Sequence, residues 1–155
     1  MKKMIIGIDP GQKGGMTILW RSEIIVSDLP IENKELNLKV LEEYLSTWND
    51  PYIGFPHTEI WIEKLWGRAG WSATALFRYA ELYGVLQGFF WRYGKINFVP
   101  AKTWKKEILG NPNATKQDAI EYAKTLCPEY PWKTKDDGKA ESVCIAKYGD
   151  MMYNI

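Results

Sequence analysis

The chain has one histidine and two cysteines in 155 residues, and that scarcity removes several chemistries at once. Cys127 and Cys144 stand in no C-x-x-C or Cys/His spacing, so neither a zinc site nor a disulfide framework is expected, and both read as reduced thiols of a cytosolic protein. His57 lies in a proline-containing loop with no second histidine to support nucleophilic or zinc chemistry. No run approaches the roughly 18 apolar residues of a membrane span. The opening "MKKMIIGIDPG" puts only five residues between its lysines and Asp9, too few for a secretion signal's apolar core. There is no repeat, no low-complexity tract and no Ser/Pro-rich linker. The length suits one domain with a single sizeable core, and the reading is one domain over residues 1–155.

Net charge is also almost lacking, at +1, yet the charges that are present are segregated. Residues 22–60 carry eight acids against two lysines, and residues 61–106 carry eight Lys/Arg against two glutamates. Five of the eight tryptophans fall in the basic stretch: Trp61, Trp66, Trp71, Trp91 and Trp104. Cations interleaved with flat rings suit a nucleic acid, because cations neutralise phosphates and rings stack on unpaired bases. A solvated basic face over an aromatic core would have the same composition.

Pattern and turn chemistry predict three short strands, 4–9, 15–20 and 23–28, joined as a meander. Asn33 is expected to cap a helix reaching Trp48, with Leu38, Leu41, Leu45 and Trp48 on its core face. "EIWIE", 59–63, alternates as a half-buried strand. A long helix is expected over 72–92, with Leu76, Tyr79, Ala80, Tyr83, Leu86 and Phe90 facing inward and Phe77, Phe89 and Trp91 on a second apolar stripe. A strand over 96–99, a helix from Pro100 to Ile108, one capped by Thr115 and a last one over 138–151 complete an α/β order: one mixed sheet flanked by helices.

The acids occupy telling places in that order. Asp9 ends the first strand and Glu63 the fourth, each after an apolar run. Asp136 and Asp137 precede the last helix, and Glu141 lies four residues beyond Asp137, close to it around the helix. A lone acid before Pro-Gly is ordinarily a turn residue, and one before a helix a cap. Glu63, between Ile62 and Leu65, has no such role. Carboxylates gathered at one sheet edge repel each other, and a hard divalent cation relieves the repulsion. Oxygen ligands favour Mg²⁺ or Mn²⁺ over zinc, and two such ions form an apparatus for phosphodiester cleavage.

The segments "IIGIDPGQKGG", "IEKLW", "VPAKTWKKEILG", "NATKQDAIEYA" and "DDGKAESVCIAKYG", in this order and spacing, resemble RuvC-type Holliday junction resolvases, above all the short versions carried by phages. "GIDPG" alone also opens sugar kinases and actin-like ATPases, which need two such domains and a longer chain. The resemblance implies an RNase H-like fold with a mixed five-stranded sheet, a homodimer, and metal-dependent nicking of four-way DNA junctions and possible other branched DNA, with two Mg²⁺ or Mn²⁺ ions per site. It implies catalytic, metal-binding roles for Asp9, Glu63 and Glu141, and for Asp137 or its neighbour Asp136 as the remaining acid. Trp66 matches an aromatic that stacks in the junction. Lys102, Lys105 and Lys116 match backbone-contacting positions, and Lys64 and Arg68 are phosphate candidates from local charge. It also implies a cytoplasmic location, the host's if phage-encoded. Two other readings remain at this stage: an RNase H-like nuclease acting on RNA–DNA hybrids or flaps, and a junction-binding protein without catalysis.

Overall fold

The structure, a computed structural model, describes residues 3–49, 55–66 and 69–154. Strands β1 (Met4–Asp9), β2 (Gly15–Trp20) and β3 (Glu23–Asp28) form the expected antiparallel meander. β4 (Ile31–Glu32) and β5 (Glu35–Leu36) make a small separate hairpin, followed by helix α1 (Leu38–Ser46) and strand β6 (Thr58–Lys64). Helix α2 (Ala73–Phe90), strand β7 (Gly94–Pro100) and helices α3 (Ala101–Leu109), α4 (Lys116–Leu126) and α5 (Asp137–Tyr153) complete the chain. The main sheet has the order β3-β2-β1-β6-β7, with β1, β6 and β7 parallel.

Strand alternation sorts side chains to the two faces of this sheet. Ile6, Ile8, Ile60 and Ile62 pack with Leu41 and Leu45 of α1 and Leu82, Leu86 and Phe90 of α2. On the other face, Trp61 and Val99 pack with Trp104 of α3, Ala119, Ile120 and Ala123 of α4, and Val143, Cys144 and Tyr148 of α5. Helix α5 lies directly on β1: a Cβ on Gly7 would stand 2.4 Å from the Ala146 amide nitrogen and 2.5 Å from the Ser142 carbonyl oxygen. The buried hydroxyls of Thr17 and Ser142, 2.7 Å apart, bind the same helix to β2.

Three expectations fail here, for identifiable reasons. Asn33 caps no helix. It sits at φ 50° beside Lys34 at φ 69°, making the two-residue turn of the β4–β5 hairpin, and the α1 cap is Asn37, whose side chain accepts from the Val40 amide at 3.1 Å. Both residues can cap a helix, and the short Ile31–Leu36 pairing takes the first. Leu38, expected in the core, is exposed, while Leu41 and Leu45 are fully buried. In α2 the inward set shifts: Leu82, Leu86 and Phe90 are buried, whereas Leu76 and Ala80 are exposed. The first two turns of α2 lack a covering layer within the protomer, and local periodicity carries no information about what the fold lays against a helix.

Candidate active site at the sheet edge

The parallel register pairs Ile8 with Ile62, so Asp9 and Glu63 come one step later, side by side at the carboxyl ends of β1 and β6. Open α/β sheets bind ligands at this end. Alternation turns both toward the α5 face, the side that Gly7 and Trp61 occupy. Because Gly7 admits α5 so closely, the start of that helix brings Glu141 and Asp137 to the same point. All four carboxylates are half-buried.

The electrostatics confirm the convergence. Burial, then the charges of Glu141 and Glu63, a hydrogen bond to Glu141 and the charge of Asp137 together hold the Asp9 carboxyl well above the ordinary carboxylate range. Burial and Glu63 also push Glu141 upward, against the opposing pull of Lys105 and Lys116. The crowding of like charges thus favours the protonated forms of Asp9 and Glu141 relative to free carboxyls.

Each acid is held differently. Glu63 accepts a hydrogen bond from the indole Nε1 of fully buried Trp104 at 2.8 Å. Sequence reasoning missed this orienting role. Its signal was available in "AKTWKKEIL", where one tryptophan interrupts a basic helix beside the acid strand. Asp137 is ion-paired with Lys116 of α4. Asp136 is not part of the cluster. Burial would raise its pKa, but the Lys133 amide at 2.8 Å and the Lys139 ammonium at 3.0 Å outweigh that and hold it below the usual range. It secures the approach to α5, leaving Asp137 as the acid facing Asp9.

The other expected residues are also placed. Trp66 is 66% exposed, with the Lys64 ammonium 4.6 Å from its ring centroid, so it is not a core residue. Glu63, Lys64, Trp66 and Lys102 line one cavity of roughly 270 Å³. Lys105 lies over the Trp104 ring at 5.5 Å and within electrostatic reach of Glu141. Lys116 is at the acids themselves rather than on a remote surface. Arg68 lies outside the described residues. The glycine-rich turn after Asp9 is not an open approach for a partner along its whole length: a Cβ on Gly138 would stand 2.0 Å from the Lys13 carbonyl oxygen, so the first turn of α5 packs against it.

Among the described residues, no three Asp, Glu, His or Cys side chains are arranged to hold a metal ion as they stand. The donor chemistry nonetheless fits a hard dication. The set is all oxygen, its like charges crowd one another and raise the Asp9 pKa, and a lysine partly supplies a counter-charge at Asp137. No helix among the described residues is long and apolar enough to cross a membrane.

The five-stranded mixed sheet with helices on both faces is an RNase H-like fold. More particularly it is the fold of RuvC. The chain is similar to a Thermus thermophilus RuvC structure, with 13% identity, a TM-score of 0.60 and coverage of 97% of this chain and 96% of that one. It is similar as well to T. thermophilus RuvC in complex with a Holliday junction substrate, with 11% identity, a TM-score of 0.62 and the same coverage. No family model and no curated protein sequence matches the chain.

Proposed function

We propose that this protein is a structure-selective endodeoxyribonuclease that cuts four-way DNA junctions and related branched DNA, using Mg²⁺ or Mn²⁺ held by Asp9, Glu63, Asp137 and Glu141. The convergence of these four carboxylates at one sheet edge carries the reading, and the RuvC fold supports the choice of substrate. When bound, a pair of divalent ions activates water and stabilises the leaving oxygen of a phosphodiester. The chain's own residues prepare the site. Trp104 orients Glu63, the rigid ends of β1 and β6 fix the spacing of Asp9 and Glu63, and α5 holds Glu141 against Asp9. Asp9 and Glu141 would both be drawn toward their ionised forms by the positive charge of a bound dication.

Lys64, Lys102 and Lys105 are suited to backbone phosphates beside the acids, and exposed Trp66 to stacking on a base unpaired at the branch point. The protein would act as a homodimer through α2, supplying two active sites. Leu76, Phe77 and Trp91 are exposed there, and Gly84 and Gly88, one turn apart, face open space. Glycine in a helix interior costs about 1 kcal/mol relative to alanine, which a close helix–helix crossing can offset.

The test is a cleavage panel with a four-way junction, a flap, an RNA–DNA hybrid and plain duplex, each with Mg²⁺, Mn²⁺ or chelator. Paired nicks in the junction, lost with chelator, are expected. Cleavage confined to the hybrid would replace this reading with that of a hybrid-specific nuclease.

A further inference from the structure

A second cleft, of roughly 300 Å³, opens beside the acid site and is lined by Gln12, Lys34, Trp71, Ala75, Arg78 and Tyr79. We propose that it binds one nucleotide of the DNA, with the phosphate between Lys34 and Arg78 and the base against Trp71. The inference rests on the reading of the protein as a DNA-junction nuclease and extends it to residues the acid site does not use. The cleft has two cations and two aromatic rings and no acid in its lining. Among the described residues neither Lys34 nor Arg78 has a carboxylate ion-pair partner. Glu35 and Glu81 line the neighbouring cavity, which the two cations also border. Cationic side chains beside an aromatic face combine the two contacts a nucleotide offers, charge and stacking.

The backbone bears on Lys34 as well. A two-residue turn with positive φ at both positions favours Asn-Gly, and here the order is Asn33-Lys34, with Lys34 at φ 69°. A side chain is thus carried at a position where glycine would be easier, and it points to a role for the ammonium group. The tip is also tied to the acid site, since Gln12, three residues past Asp9, donates from Nε2 to the Lys34 carbonyl oxygen at 3.2 Å. On the other side, Trp71 and Tyr79, edge to face with centroids 4.9 Å apart, line both this cleft and the cavity containing Glu63 and Trp66. A strand crossing the acids therefore has an adjoining place for its next nucleotide.

The experiment measures junction affinity against salt concentration in an Asp9→Asn background, which separates binding from cleavage. Lys34→Gly and Arg78→Ala should each flatten the log–log salt slope by about one unit. Lys34→Gly should melt no lower than its parent, because glycine relieves the turn, so its lost affinity cannot come from unfolding. Trp71→Ala should weaken binding of a junction and of single-stranded DNA roughly 5- to 100-fold, and of intact duplex less. Lys39→Ala, on α1 beside Glu43, is the control and should keep the parent slope. Unchanged slopes in both cleft variants, or equal flattening in Lys39→Ala, would overturn the cleft while leaving the nuclease reading in place. Failure of the wild-type protein to bind or cut a junction would overturn the nuclease reading itself, and the cleft with it.

Discussion

Lys116 of α4 is ion-paired with Asp137 of α5, so a lysine expected on the DNA backbone neutralises one acid of the cluster in the DNA-free protein. The side chain is exposed along most of its length and can exchange that partner for a phosphate. Under the proposed function it would compete, in the free protein, with a divalent cation. Lys116→Ala should therefore enlarge the rise in melting temperature that Mg²⁺ produces in the absence of DNA, by linkage, while weakening junction binding. Thermal scans with and without Mg²⁺ check the first effect and salt titrations the second.

Asp9→Asn should abolish cleavage, retain junction binding and raise the melting temperature of the metal-free protein near neutral pH, because it removes a charge crowded by Glu141, Glu63 and Asp137. The pH dependence has a definite sign. Asp9 and Glu141 titrate higher in the folded state than in the unfolded one, so the folded state binds more protons. Stability of the wild type thus falls as pH rises from the ordinary carboxylate range through the raised values. Denaturant midpoints should show this decline, flattened in Asp9→Asn and opposed by Mg²⁺.

Trp104→Phe keeps most of the buried ring but deletes the donor to Glu63. A hydrogen bond to a charged acceptor contributes about 1.5–3 kcal/mol. The variant should cleave at least 10-fold more slowly at saturating junction while its junction Kd changes little. Glu63→Gln in the same assay should be inactive, which separates positioning a carboxylate from supplying one.

Trp66→Ala removes an exposed ring, so stability should change by less than about 0.5 kcal/mol. Duplex binding should stay near wild type, and junction cleavage should fall strongly. Quenching of 2-aminopurine at the branch point, expected with the wild type, should be largely lost.

Phe77, 69% exposed on the first half of α2, is the direct probe of the proposed dimer. Phe77→Lys should sediment as a folded monomer at micromolar concentration. Gly84→Leu should do the same, since its side chain meets nothing within the protomer and would obstruct a close crossing.

Much of this architecture was legible locally. The bounds of β1, β2 and β3 follow from apolar runs broken by Pro10-Gly11 and by the turn at Arg21-Ser22, signals carried within a few residues. The Thr115 cap of α4 is likewise local, a reciprocal pair with Asp118. Glu63 could be singled out because an acid closing an apolar strand has no turn role there, and Asp9 because the same pattern recurs at the end of the first strand. Tertiary structure decided the rest. Asp136 and Asp137 are adjacent and chemically identical, and only the docking of α5 over Gly7, with Gly138 against the Lys13 carbonyl, turns one toward Asp9 and the other toward Lys139. The pairing of Trp104 with Glu63 spans 41 residues. The exposure of the first turns of α2 depends on what the fold packs against them. Strand and turn preferences act between near neighbours, whereas burial and charge crowding depend on what the finished fold places alongside.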